Sequence, residues 1–556
     1  MGNIPGMATH EVFNVPSPWS GVNVFADDRS LARAVTAAGA DDGQLAQLTG
    51  LGALAGTPEA QDWGRLANAY PPVLRTHDRY GNRIDEVEFH PAWHELMSVA
   101  VAHGLHAAPW ASGAGANAHL VRAAGTYVWS QVEQSHVCPI SMTYAIVPAL
   151  RHSPDLAARY EPGLVSRQYD FGLRTPDTKL GLLAGMAMTE KQGGSDVRAN
   201  TTRARANSDG SYSIIGHKWF CSAPMCDLFL VLAQTESGLS CFAVPRVLPD
   251  GTRNRFAIQR LKDKLGNKAN ASSEVEFDST VGFLVGEEGR GVRTIIDMVT
   301  MTRLDCVIGS ASVQRAALTQ AQHHIGGRSA FGTTLADQPL MQEVVADLAV
   351  EVEAGAALFL RLAAAVDRNE APLLRLAVAA SKFWVCKRTP TVVGEALECL
   401  GGAGYVEESP LPRYFRESPL NSIWEGSGNV IALDVVRAAT REPESTQALH
   451  DELAVTAGAD ARLDAATDQL AKRLAQLGSD PEADARSARG LASLLARTLQ
   501  ASLLVRAAQD PAGGLVAEAF LATRLGDGAP TAFGSRAVGD RSATKALCEL
   551  ADPNRG

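Results

Sequence analysis

A change of texture near Lys179 constrains the fold of this chain more than any other feature of its sequence. From there to about Asp278 the short apolar runs LLAGMAM, YSIIGHKWF, LFLVLAQ, SCFAVPRVL and SEVEFD are separated by Gly, Asn, Asp and Pro at strand-like spacing, which predicts a small β domain or barrel. On both sides the period is helical. Before it, Leu31, Ala34 and Val35, then Glu95, Leu96, Val99 and Ala100, recur at helix spacing between breaks at Pro71-Pro72, Pro91, Pro109 and Pro139. After it, Val292, Ile295, Ile296 and Val299, then Val344, Val345, Leu348 and Val352, keep the 3.6-residue period, and Pro390 is expected to end or kink one of these helices. From about Arg441 an Ala- and Leu-rich helical segment continues to the end. The chain therefore reads as α+β. Residues 1–180 form an N-terminal extension and helical domain, 181–285 a middle β domain, 286–440 a helical bundle and 441–556 an additional helical domain.

Composition narrows the function classes. Of 556 residues, 46% are hydrophobic and 20% charged, which excludes a mainly disordered chain. No apolar run nears the roughly 18 residues that span a bilayer. A net charge of −10 gives no overall pull toward nucleic acid or anionic membranes. Eight scattered cysteines without a C-x-x-C pair read as reduced thiols. The opening MGNIPGMATH lacks the charged and apolar regions of a secretory signal. A cytoplasmic protein with no membrane association is expected.

The sharpest local signal is Thr189-Glu190-Lys191-Gln192-Gly193-Gly194-Ser195-Asp196, directly after the strand-like LLAGMAM. Two glycines let a backbone come close to a ligand while hydroxyls and amides supply hydrogen bonds; a polar hairpin loop is the other reading. No Gly-Lys-Ser/Thr follows, so it is not a P-loop. Leu400-Gly401-Gly402-Ala403-Gly404-Tyr405 is either a second backbone-approach site or a helix C-cap. In Ile423-Trp424-Glu425-Gly426-Ser427-Gly428-Asn429 a carboxylate beside Trp424 is partly desolvated, which raises a Glu pKa toward a useful general-base value. Ser427 or Asn429 can cap the helix that follows, whose free N–H groups suit a phosphate. His90 with His94, His103 with His106, and His323-His324 lack a matched further ligand set, so no metal is expected.

Taken together, five motifs in one order across about 240 residues resemble the acyl-CoA dehydrogenase family: Thr189 to Asp196, Gly216 to Ser222, Arg328 to Gly332, Gly401 to Tyr405, and Glu425-Gly426-Ser427. The resemblance covers about residues 50 to 440. MTEKQGGSDVRANTTRA, GHKWF, LKDKLGNKANAS and NSIWEGSGNVIALDVVR are similar to its adaptive-response branch, associated with protection against DNA alkylation and with weak dehydrogenase activity.

The resemblance implies the acyl-CoA dehydrogenase fold, with an N-terminal helical domain, a middle β-barrel-like domain and a C-terminal four-helix bundle, here with an extra helical domain. It implies non-covalent FAD. Met188, Thr189, Phe220 and Ser222 would line the isoalloxazine ring, and Ser195 would reach the pyrophosphate. Arg328 and Phe331, with Gly401 and Gly402, would hold the ADP half of a neighbouring subunit's FAD, so a homo-oligomer, a dimer of dimers, is implied. Glu425 would remove the α-proton of an acyl-CoA; Thr302 occupies the alternative base position and cannot serve. Ser222 and Ser427 replace the usual Thr, Phe220 a Trp, Glu398 a Gln and Ala330 a Thr. An electron-transferring flavoprotein or oxygen would be the acceptor, the latter in an oxidase-like variant.

The same branch is thought to bind double-stranded DNA through its C-terminal domain. Residues 441–556 carry 13 Lys plus Arg against 16 Asp plus Glu, a poor electrostatic footprint for a duplex. Within them Arg486, Arg489 and Arg497 fall on one helical face, readable as a DNA contact strip or as a solvated face.

Overall fold

The computed structural model describes residues 9–509, 511–525, 533–535 and 538–553. The opening residues 1–8, read above for a targeting signal, lie outside them. Helices fill the first part of the chain. Asp28, Asp41 and Thr57 each cap the helix that follows, Arg29–Ala37, Asp42–Ala55 and Pro58–Ala69, by accepting a first-turn N–H, a contribution of about 1 kcal/mol apiece. Ala118–Trp129 is buried on every side, and Val137–Leu150 almost so. A hairpin of Val73–His77 with Arg83–Glu88 interrupts the helices. Its strands, VLRTH and RIDEVE, show neither an apolar run nor a regular alternation that would mark them.

The β domain forms where the apolar runs place it, from Ala184–Ala187 to Ser272–Val285. Leu228–Thr235 pairs with Gly238–Pro245, which pairs with Ser272–Val285, which pairs with Tyr212–Ser222, then Arg203–Ala206, and this last touches Leu228–Thr235 again. The sheet thus closes on itself, the barrel-like arrangement expected. Leu228–Thr235 and Gly238–Pro245 bury residues on both faces, toward the barrel interior and toward the helices.

The bundle is built on Gly291–Gly326, Pro339–Asp367, Ala371–Cys399 and Gly428–Arg441. Pro390 does not end its helix, which runs on to Cys399. Val385, Val392, Val393 and Ala396 bury on both sides of the proline, and this packing outweighs the lost hydrogen bond. The tail adds Pro443–Ala454, Ala461–Gln476, Pro481–Ala507, Pro511–Arg524 and Arg541–Ala551. Leu491, Leu495 and Leu499 join the same apolar core as the bundle. Buried Arg524 reaches Asp347 at 2.5 Å and Glu351 at 3.1 Å across the junction. Breaking such a pair from one side costs about 3–5 kcal/mol, so the tail is an integral part of the structure. No helix among the described residues is long and apolar enough to cross a membrane.

Candidate functional site

Glu425 sits in a turn held from below. Its backbone is left-handed, φ +56°, and Gly426 follows at φ +102°, a conformation costing a non-glycine residue about 1–3 kcal/mol unless its surroundings enforce it. They do. Buried Lys382, 1% exposed, donates to the carbonyls of Trp424 at 2.6 Å and Gly426 at 2.5 Å. Arg303 donates to the carbonyl of Glu425 itself at 3.1 Å and is fixed by Asp434 at 2.7 Å. Three successive carbonyls are thus gripped by two cations. The Glu425 N–H has no acceptor among the described residues and is available to a ligand.

The carboxylate is tuned by the same surroundings. Burial raises Glu425 above the ordinary carboxylate range, opposed by a hydrogen bond from Thr302 and by the charges of Lys382 and Arg303. The Thr302 hydroxyl donates to Glu425 Oε2 at 2.8 Å. The position expected only to be unable to act as a base therefore orients the one that can.

The loop from Thr189 to Asp196 is more than a surface hairpin. Glu190 and Lys218, both 0% exposed, pair at 2.9 Å. Glu190 also accepts from the backbone N–H groups of Thr201 and Thr202. Burial would raise it, but Lys218 and these donors hold it well below the usual carboxylate range. Gly194 packs on Thr189, where a β-carbon would lie 2.4 Å from Oγ1. The Trp219 N–H donates to the Thr189 carbonyl at 2.8 Å and the Met188 carbonyl accepts from Asn200 at 2.9 Å. Met188, Thr189, Phe220 and Ser222 thereby converge, while Ser195 lies exposed on the outer part of the loop.

Phe220 leaves 47% of its surface uncovered beside them. The Ser222 hydroxyl lies 3.3 Å from that of Ser272, and buried Asn270 nearby has neither side-chain polar atom partnered. The Lys262 ammonium lies 4.5 Å from the Phe220 ring centroid; a half-exposed aromatic ring, hydroxyls and an orphaned buried amide are groups that suit a flavin ring. Burial pushes the Cys138 thiol up to about 12, eased by the Ser222 hydroxyl and reinforced by the Glu425 carboxylate.

Arg328, Gly401 and Gly402 meet elsewhere, around a 410 Å³ cavity shared with His324 and Glu398. Nothing lies within 4 Å of a β-carbon built on Gly401 or Gly402, so the backbone is open to a ligand, and a guanidinium and an imidazole face it. That chemistry fits the phosphates of a nucleotide. Phe331 is fully exposed at the left-handed tip of the Ser329–Ala330/Thr333–Thr334 hairpin.

A larger cavity, 1050 Å³, is walled by Thr300 and Met301, just before Thr302, and by Arg198, Arg290, Arg293 and Arg437. Glu425 is not in its wall. The same wall carries Asp297, Asp434, Glu442, Glu444 and Arg375, and Arg437 pairs with Asp434 at 3.6 Å, so its charge is mixed. Arg198, Arg290 and Arg293, without an ion pair among the described residues, are the groups suited to a polyphosphate.

The remaining candidates are placed as follows. Ser427 occupies the N-cap of Gly428–Arg441 but its side chain makes no capping bond. The side chain of Asn429 accepts from Arg489 at 2.8 Å. Arg489 also lies over Phe383, and Arg497 over Trp384 while donating to the Arg524 carbonyl. Arg486 and Arg489 are both exposed and Arg497 is half-buried; Arg486 pairs only with Glu482 on its own helix. His90 caps a helix, His94 meets Tyr169, and buried His106 meets the Ser166 carbonyl. Sequence reasoning missed Lys382, whose only signal is a lysine amid the apolar LAVAASKFWV.

Comparison with known proteins gives one consistent result. Residues 14–171 match the profile of the adaptive response protein AidB N-terminal domain, 185–280 the acyl-CoA dehydrogenase middle domain and 289–440 the acyl-CoA dehydrogenase C-terminal domain. The chain is 47% identical over 472 residues to the putative acyl-CoA dehydrogenase AidB of Escherichia coli K12, 84% of this chain and 87% of that one. A crystal structure of Caenorhabditis elegans ACDH-11 in complex with C11-CoA superposes with TM-score 0.81 at 25% identity, covering 99% of this chain and 93% of that one. An acyl-CoA dehydrogenase from Bacillus anthracis complexed with FAD shares the fold, with TM-score 0.64 at 19% identity over 78% of this chain and 80% of that one.

Proposed function

The chain belongs to the acyl-CoA dehydrogenase family, in its AidB branch, and is an FAD-dependent oxidoreductase; from that premise we propose that it carries out α,β-dehydrogenation of an acyl-CoA with Glu425 as base. The observation that carries this reading is the clamped left-handed turn, which holds a desolvated carboxylate that accepts a hydrogen bond from Thr302.

FAD supplies the acceptor for the substrate's β-hydride. The protein does the rest. Glu425 takes the α-proton onto its carboxylate as the Cα–H bond breaks, and its raised pKa makes it a stronger base than an exposed Glu. Its free N–H donates to the thioester carbonyl and stabilises the charge that develops there. Met188, Thr189, Phe220 and Ser222 hold the flavin ring, and Ser195 reaches toward its pyrophosphate. Arg198, Arg290, Arg293 and Arg437 accommodate the CoA phosphates. Arg328, Phe331, Gly401 and Gly402 hold the ADP half of the FAD of a neighbouring copy, which makes a homo-oligomer the working unit.

Anaerobic titration of FAD-loaded protein with short, branched and long acyl-CoAs tests this. Bleaching of the flavin by one of them is expected. No bleaching by any, in protein that dithionite still reduces, would reject the reading.

The likeness to an adaptive response protein supports a second role in the response to DNA alkylation. With a tail near −3 and, of its three candidate arginines, Arg497 half-buried and Arg489 engaged with Asn429, duplex binding would require the faces of several copies. Loss of DNA retention at near-physiological salt would reject that role.

A further inference from the structure

The start of the described chain lies against the Arg328 hairpin, and the contacts are specific. Asn14, left-handed at φ +57°, uses its side-chain amide as a short strand would use its backbone: Nδ2 donates to the Ser329 carbonyl at 2.8 Å and Oδ1 accepts from the Ser329 N–H at 2.7 Å. Its own carbonyl accepts from Arg328 Nη1 at 2.9 Å. Two further contacts fasten the segment. The Ser17 carbonyl lies 2.6 Å from His323 Nε2, and Pro16 packs so closely on Gly327 that a β-carbon there would come within 3.0 Å. The hairpin itself has only two residue pairs, and so short a ribbon is marginal without an added partner. Asn14 supplies that partner and at the same time fixes the guanidinium that borders the 410 Å³ cavity with Gly401 and Gly402.

We infer that Asn14 is a positioning residue for cofactor binding: it holds the hairpin and Arg328 in the shape that grips the ADP half of a neighbouring copy's FAD. The inference rests on the reading of Arg328, Gly401 and Gly402 given above. It assigns a task to the N-terminal extension, which lies outside the family motifs, and it acts through Arg328 without Asn14 touching the cofactor.

The test is FAD affinity, measured by titrating apoprotein and following flavin fluorescence, for the wild type, Asn14→Ala, Arg328→Gln and the double variant, with thermal unfolding of each apoprotein as a check on folding. Asn14 is exposed, so its replacement leaves the fold intact. Asn14→Ala weakens FAD by about tenfold, a 1.4 kcal/mol effect, Arg328→Gln by at least as much, and the double variant no more than Arg328→Gln alone. That non-additivity separates action through Arg328 from a general structural lesion. Asn14→Asp, which keeps the acceptor and loses the donor, falls between the wild type and Asn14→Ala. Wild-type affinity in Asn14→Ala with a loss in Arg328→Gln overturns the inference and leaves the reading of the hairpin standing. Additive losses also overturn it. Wild-type affinity in Arg328→Gln overturns both.

Discussion

Two sets of cations, one missed in the sequence and one picked out by helical spacing, meet very different fates. Around Glu425, Lys382 and Arg303 come from two separate helices and aim at three consecutive carbonyls of one turn. Along the tail helix, Arg486, Arg489 and Arg497 share one face by spacing, yet each engages something different: Glu482, Asn429 and the Arg524 carbonyl. Spacing on a helix fixes a direction. A site needs convergence, and convergence comes from packing separate elements on one point.

The sharpest way to break this contrast is to remove the buried cation. Lys382→Met frees the carbonyls of Trp424 and Gly426 and lets the strained turn relax; displacement of the base by about 1 Å is expected to slow flavin bleaching by an acyl-CoA about 10²-fold. Rapid-mixing absorbance measures it, and a rate within twofold of the wild type would show that the clamp is dispensable.

Thr302→Val is the milder cut. The base must be ionised to work, so the bleaching rate rises with pH through the raised pKa of Glu425. Thr302 favours the ionised form, and without it the midpoint of the pH–rate profile moves to higher pH and the rate on the acid side of that midpoint falls several-fold, with FAD still bound. A downward shift would contradict the assignment.

Smaller still is Arg489→Ala, which loses the hydrogen bond to Asn429 and the contact with Phe383 and should cost about 1 kcal/mol in thermal unfolding. Arg486→Ala, which removes only an exposed pair within one helix, should leave the unfolding midpoint where it was. If Arg486→Ala instead abolishes salt-sensitive DNA retention, the tail face has a function that its intramolecular contacts do not reveal.

Much of this was legible in the residues, for identifiable reasons. The β domain announced itself because its buried strands, such as Leu228–Thr235, are unbroken apolar runs. A barrel was expected, but the strand order that closes it was not, because it depends on the Arg203 register against Gln234, which no local pattern encodes. The Val73–Glu88 hairpin was missed because RIDEVE alternates charge with apolar residues only weakly. Glu425 was found through its motif. Its support was not, since Lys382 is 43 residues away in sequence and a lysine in a helix ordinarily faces water. Pro390 was read as ending or kinking its helix; the helix does not end there, since propensity was weighed without the buried surface on both sides of the proline, which outweighs it.

The central claim is that the clamped carboxylate of Glu425 is the base. The most direct measurement is anaerobic mixing of FAD-loaded wild type and Glu425→Gln with an acyl-CoA that bleaches the wild-type flavin. Equal FAD content, with bleaching in the wild type and a rate at least about 10²-fold lower in Glu425→Gln, is the result expected. Bleaching of Glu425→Gln at the wild-type rate would contradict it and place the proton transfer on another group.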